Sequence, residues 1–142
     1  MKKYTLELYD RIRVNKELLT EVIKLFVIKE KQSRFLEFID SPKRYHNFVD
    51  EFLNDPRNLK SDLITEIPNN QQEFKDIAAK LKEFGAKDKA YLISRNDEDD
   101  GKIGRLEDIL GLVYTEGFIY CLETKLGYYE GHENWRYILS AK

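Results

Sequence analysis

Leu18, Leu19, Val22, Ile23, Phe26 and Val27 recur at helical spacing and draw one apolar stripe along a segment that opens at Asn15. Asn15 stands before Lys16-Glu17, which supplies a capping side chain and an acid in the first turn. Ahead of it, Leu8, Tyr9 and Ile12 mark a shorter helix capped by Thr5, although Tyr4 to Leu8 also alternates as a strand does. A third segment, about 32 to 39, groups Phe35, Leu36 and Ile39. Ser41-Pro42 then signals a fourth start, with a capping hydroxyl and a proline at the first helical position, where its missing N–H costs nothing. Tyr45, Phe48, Val49, Phe52 and Leu53 form its buried face, and Asn54-Asp55-Pro56 stops it.

After residue 60 the period changes. Leu63 to Ile67 reads as a short strand ended by Pro68. Asn69-Asn70 caps a helix running to Phe84, with Phe74, Ile77, Ala78 and Leu81 inward and Gly85 just past its end. Ala90 to Ser94 is a short apolar run that suits a buried strand. A polar loop, Arg95 to Gly104, leads to a helix from about 105 to 115. Phe118 to Glu123, Lys125 to Glu130 and Asn134 to Ser140 are then three strands joined by turns too short for crossovers, an antiparallel meander.

The order is four helices followed by βαβαβββ, an α+β chain in one domain with a helical half (1–56) packed on an α/β half (57–142). The two connections long enough to hold helices imply parallel pairing among the first three strands, so the expected sheet is mixed, with the meander along one edge.

Composition changes this picture little. The 142 residues are 42% hydrophobic and 35% charged, enough apolar bulk for a core and too much for a disordered chain. The charges do exclude one class. With 24 basic and 26 acidic residues the net charge is −2, so the chain lacks the electropositive field by which general nucleic-acid binders neutralise phosphates. No stretch approaches the roughly 18 apolar residues of a membrane span, the run Leu25 to Ile28 being one helical turn, and Met1-Lys2-Lys3 is followed by acids rather than an apolar stretch. Neither a membrane span nor a signal peptide is expected, and the cytoplasm is the default compartment.

Chemistry-bearing residues are sparse. Cys121 stands alone, mid-strand between Tyr120 and Leu122, where a small buried residue belongs. His46 lies on the polar flank of its helix and His132 in a turn, with no partner at metal spacing. The most suggestive stretch is Asn96 to Glu107. Set against the twelve-residue calcium loop, Asn96, Glu98 and Asp100 take positions one, three and five. Gly101 falls at the sharp turn and Glu107 at the twelfth position, where a bidentate acid belongs. Asn96 and Glu98 depart from the usual ligands, and a strand rather than a helix precedes the loop. The plainer reading of the stretch is a solvated acidic turn, with Asp100-Gly101 for the bend and Glu107 favouring the helix N-terminus. Placed after a parallel strand, Asp97, Asp99 and Asp100 would instead hold Mg²⁺ for a phosphate substrate. The expectation is therefore no cofactor, with calcium or magnesium at this loop as the alternative.

The meander carries the other distinctive feature. Tyr128, Trp135 and Tyr137 supply large, rigid ring surfaces of the kind favoured at protein interfaces, and Tyr128 and Tyr129 point to opposite faces of their strand. If helices cover only one face of the sheet, several rings remain on the other. If helices cover both, the rings are core. The expected function is a non-enzymatic protein-binding or regulatory module whose partner is another protein. The alternative is a small metal-assisted hydrolase or phosphate-handling enzyme built on the acidic loop at 96–107.

Overall fold

Neither glycine nor proline interrupts residues 3–40, and the backbone is helical through nearly all of them. The computed structural model describes residues 3–68, 73–113, 116–131 and 135–141, with side chains from Asn15 onward. Helix α1 (Lys3–Phe26) is continuous where two helices were expected. Asn15 is a mid-helix residue, 6% exposed, rather than a cap. Nothing near it removes a backbone donor, and a single asparagine costs a helix well under about 1 kcal/mol, too little to break it. The Thr5 cap and the Asn69-Asn70 cap fall outside the described residues or side chains.

The chain turns at Val27, which bridges to Leu59, and two backbone bonds stitch this corner to a later segment. Ile28 N–H donates to Asn58 O at 2.8 Å and Lys60 N–H to Phe26 O at 2.8 Å. Helix α2 (Lys29–Asp40) follows, then a 3₁₀ turn at Pro42–Arg44 that uses the expected proline start, then α3 (Tyr45–Asn54). Asp55 stops α3 and caps a second 3₁₀ turn, Pro56–Asn58, by accepting from Arg57 N–H at 2.9 Å. A third, Ser61–Leu63, leads into β1 (Ile64–Glu66).

The remainder is α4 (Phe74–Glu83), β2 (Lys89–Ile93), β3 (Ile103–Arg105), α5 (Leu106–Leu110), β4 (Gly117–Cys121), β5 (Leu126–Glu130) and β6 (Arg136–Ser140). The α+β class holds, with the three meander strands where the alternation put them. The pairing differs from expectation. All six strands form one sheet in the order β1-β6-β5-β4-β2-β3, and every neighbouring pair is antiparallel, so the sheet is not mixed. The connection through α4 does not bring β2 beside β1, because the meander fills the space between them. The loop after β2 doubles back at once, and β3 pairs with β2 as a hairpin, a strand hidden in the sequence because it is three residues long and contains Gly104.

Alternation along the strands feeds two cores. Tyr91, Ile93, Phe118, Tyr120, Tyr129 and Leu139 face the helical half and pack on α1 to α3. Ala90, Leu92, Ile119, Cys121, Leu126, Tyr128 and Ile138 face α4 and α5. Helices thus cover both faces of the sheet. On the first face, Phe118 is the hub, with ring centroids 5.3 Å from Phe26 and 5.1 Å from Phe52.

Candidate functional site

The acidic stretch is built into the β2–β3 hairpin. Asp100 is buried, accepts from Ser94 N–H at 2.9 Å and from the Tyr45 hydroxyl at 2.5 Å, and so ties the hairpin to α3. Asp99, also buried, accepts from Lys102 Nζ at 2.9 Å. Asn96 Oδ1 accepts from Glu98 N–H at 3.0 Å, an Asx turn, and Gly101 takes φ 85°, the left-handed backbone that suits glycine. Arg95 leaves the hairpin to meet Asp50 at 2.9 Å and Glu116 at 3.0 Å. Glu107 lies beyond β3, exposed in the first turn of α5, while Glu98 is exposed on the hairpin. The four positions Asn96, Glu98, Asp100 and Glu107 therefore sit in three different settings. Among the described residues no three His, Cys, Asp or Glu side chains are grouped as a metal site.

Cys121 is fully buried, and burial lifts its thiol to about 12, far from a reactive thiolate. His46 is exposed on α3, and His132 lies outside the described residues.

The three aromatic residues separate. Tyr128 is fully buried against α4 and α5, and its hydroxyl donates to Glu130 Oε1 at 2.7 Å. Glu130 in turn accepts from Arg136 Nε at 3.3 Å, so the otherwise costly buried carboxylate has a hydroxyl and a cation beside it. Tyr128 offers no surface to a partner. Trp135 and Tyr137 do. Both are half-buried, and they share the helical-half face at the end of the sheet that α1 to α3 leave open.

Two adjoining hollows meet there. The larger, about 580 Å³, lies between β1, the start of α2 and the 3₁₀ turn, and Ile28, Leu59, Ile64 and Tyr137 are among the residues that line it. The smaller, about 480 Å³, runs from the end of α3 to Trp135. Pro56, Arg57 and Tyr137 line both, so the two hollows adjoin as one groove. Tyr137 is held by stacking on Tyr129, ring centroids 6.0 Å apart and planes 11° apart, while the Tyr129 hydroxyl donates to Leu53 O at 2.8 Å. Burial, and then the neighbouring Glu66 carboxylate, push the Tyr137 phenol above its usual range. It is a neutral hydrogen-bonding group at neutral pH.

Comparison with known protein families, with curated proteins and with solved structures finds no match. The groove stands on its own geometry.

Its charges are arranged unevenly. Arg57 is held against Asp55 by paired side-chain bonds at 2.9 to 3.1 Å, and these hold the Asp55 carboxyl below the usual range. Glu30 and Glu66 stand exposed on the walls of the larger hollow. The sequence announced Trp135 and Tyr137 through their aromatic character. It gave no sign of Ile28, Pro56, Arg57 or Glu66, because Pro56 reads as a helix stop and the fold alone brings these residues together. The Asp-Pro-Arg string, a capping acid before a proline-led turn, is the one signal available.

Proposed function

We propose that the protein is a non-enzymatic protein-binding module that takes an extended segment of a partner into the groove between the Pro56–Asn58 turn and strands β1 and β6. The observation that carries this reading is the placement of Trp135 and Tyr137. Tyr91, Tyr128 and Tyr129 are fully buried, whereas these two rings line an open groove. A half-exposed tryptophan and tyrosine beside a proline and an arginine match the composition of interface anchors, since such side chains bury much area for few rotatable bonds.

The sheet edge supports an extended ligand. Ile67 N–H donates to Arg136 O at 2.9 Å, which makes Thr65 and Ile138 the next hydrogen-bonded pair of the antiparallel ladder. The N–H and C=O of Glu66 therefore point away from β6. Among the described residues no strand pairs with β1 on that side. An edge of this kind accepts a partner strand through main-chain hydrogen bonds, with pockets beside it reading alternate side chains.

The test is selection of peptides from a random-sequence display library on the immobilised protein, repeated on Trp135→Ala. Peptides whose binding weakens about thirtyfold in the variant, the loss of a hot-spot anchor of roughly 2 kcal/mol, support the reading. Enrichment that is the same on both proteins, or none, overturns it.

A further inference from the structure

Building on that reading, we infer that the partner segment is basic, and that a lysine or arginine side chain of the segment occupies the larger hollow. The hollow has the form such a side chain requires. Ile28, Leu59 and Ile64 offer apolar surface for its methylene stem, and Tyr137 lines the same hollow with an aromatic ring, the kind of group that attracts a cationic head. Two carboxylates, Glu30 and Glu66, stand at the walls to receive the charge.

Charge balance decides the sign. Among the described residues the cation lining the groove is Arg57, which Asp55 engages through both carboxylate oxygens, so its charge is compensated within the groove itself. Glu30 sits in the first turn of α2, where the helix dipole offsets part of its charge. Among the described residues no cation is paired with Glu66. It lies on the sheet opposite Tyr137 in the β1–β6 register, and its negative charge helps raise the Tyr137 phenol. The larger hollow therefore holds an excess of negative charge beside an aromatic ring and an apolar wall. An acidic segment would place like charges against Glu66 in a partly desolvated hollow. A neutral apolar one would strip water from both carboxylates without return.

The peptides selected on the wild-type protein test this when measured again, by the fluorescence of the single tryptophan Trp135, on a Glu30→Gln, Glu66→Gln double variant. Both substitutions are isosteric and at exposed positions, so the fold is kept, and unchanged thermal midpoints verify it. The expected result is a Lys- or Arg-bearing consensus whose affinity for the parent protein falls with salt, and whose affinity falls about tenfold in the double variant with less dependence on salt. The same peptide with its basic residue replaced by alanine should bind both proteins equally. Glu66→Lys should disfavour the basic peptides more strongly than the double variant. Peptides that need Trp135 but carry no basic residue, or bind the double variant unchanged, overturn the basic-segment inference and leave the docking groove standing. Peptides indifferent to Trp135 overturn both.

Discussion

Tyr45 Oη lies 2.5 Å from Asp100 Oδ2, a hydrogen bond that spans 55 residues and joins the first turn of α3 to the tip of the β2–β3 hairpin. Both residues are buried. The acid that stood fifth in a candidate cation loop thus spends its two oxygens on Tyr45 and on Ser94 N–H. Removing the hydroxyl with Tyr45→Phe takes a donor from a buried carboxylate and should destabilise the fold by about 1–3 kcal/mol, the usual cost of such a loss. Asp100→Asn, whose amide oxygen still accepts, should cost less than Asp100→Ala. Urea unfolding of the three variants gives the ranking, and equal stability of Tyr45→Phe and the parent would show that the bond contributes nothing.

A second prediction concerns space rather than charge. A Cβ built on Gly127 comes 2.5 Å from Phe118 Cζ and within 3.3 Å of two more of its ring carbons. Phe118 has little room to move, being wedged between Phe26 and Phe52. Gly127→Ala should therefore lower stability by about 1–3 kcal/mol through overpacking, although alanine ordinarily suits a strand better than glycine. Phe118→Leu in the same chain should recover part of the loss. Additive losses in the double variant, measured by denaturant midpoint, would argue against the clash as the cause.

These two sites show what the sequence reveals and what it conceals. The stripe from Leu18 to Val27 and the one from Tyr45 to Leu53 locate helices because burial of one face imposes its period on the chain. Alternation does the same for β4 to β6. The partners of those faces are set by contacts between distant segments, and no local pattern records them. Parallel pairing followed reasonably from connection length, yet length only permits a crossover. Here the meander intervenes between β1 and β2. The acids at 97–100 are conspicuous because turns are polar, and Asp100 is drawn inward by Tyr45, a residue that its helical stripe marks only as core. At the groove the rings were legible and the wall was not, since Ile28, Arg57 and Glu66 gain their meaning only when the α1–α2 corner is stitched to Asn58 and Lys60.

The groove predicts a separation of binding from stability. Trp135 is half-buried at the rim of the smaller hollow and is not among the core residues of either face. Trp135→Ala should thus change the unfolding free energy by no more than about 1 kcal/mol while removing most binding of a selected peptide. Tyr137→Ala should cost more stability, because it also removes the stack on Tyr129. Peptide titration and thermal melts on the same preparations distinguish the two effects. A Trp135→Ala protein that melts far below the parent would make the ring structural.

Stability should fall on the alkaline side, beginning with Cys121. Burial raises this thiol from 9.0 to about 12, and raises the Tyr120 phenol, with help from Glu21, from 10.0 to about 12. Tyr128 and Tyr129 are raised further in the same direction, chiefly by burial. Below pH 9 all four groups are protonated in both the folded and the unfolded chain, so their contribution is fully present and independent of pH. Above it the unfolded chain releases protons that the folded chain retains, and the equilibrium shifts toward unfolding, for Cys121 and Tyr120 until their folded values are passed near 12. The urea midpoint should therefore be flat from pH 7 to 9 and drop between 9 and 12, with the tyrosines joining from about 10. Cys121→Ala should delay the onset by about one pH unit, because the first group to titrate in the unfolded chain is gone. An onset unchanged in this variant would assign the whole decline to the tyrosines, and a midpoint that holds to pH 12 would mean that the rings and the thiol are open to solvent.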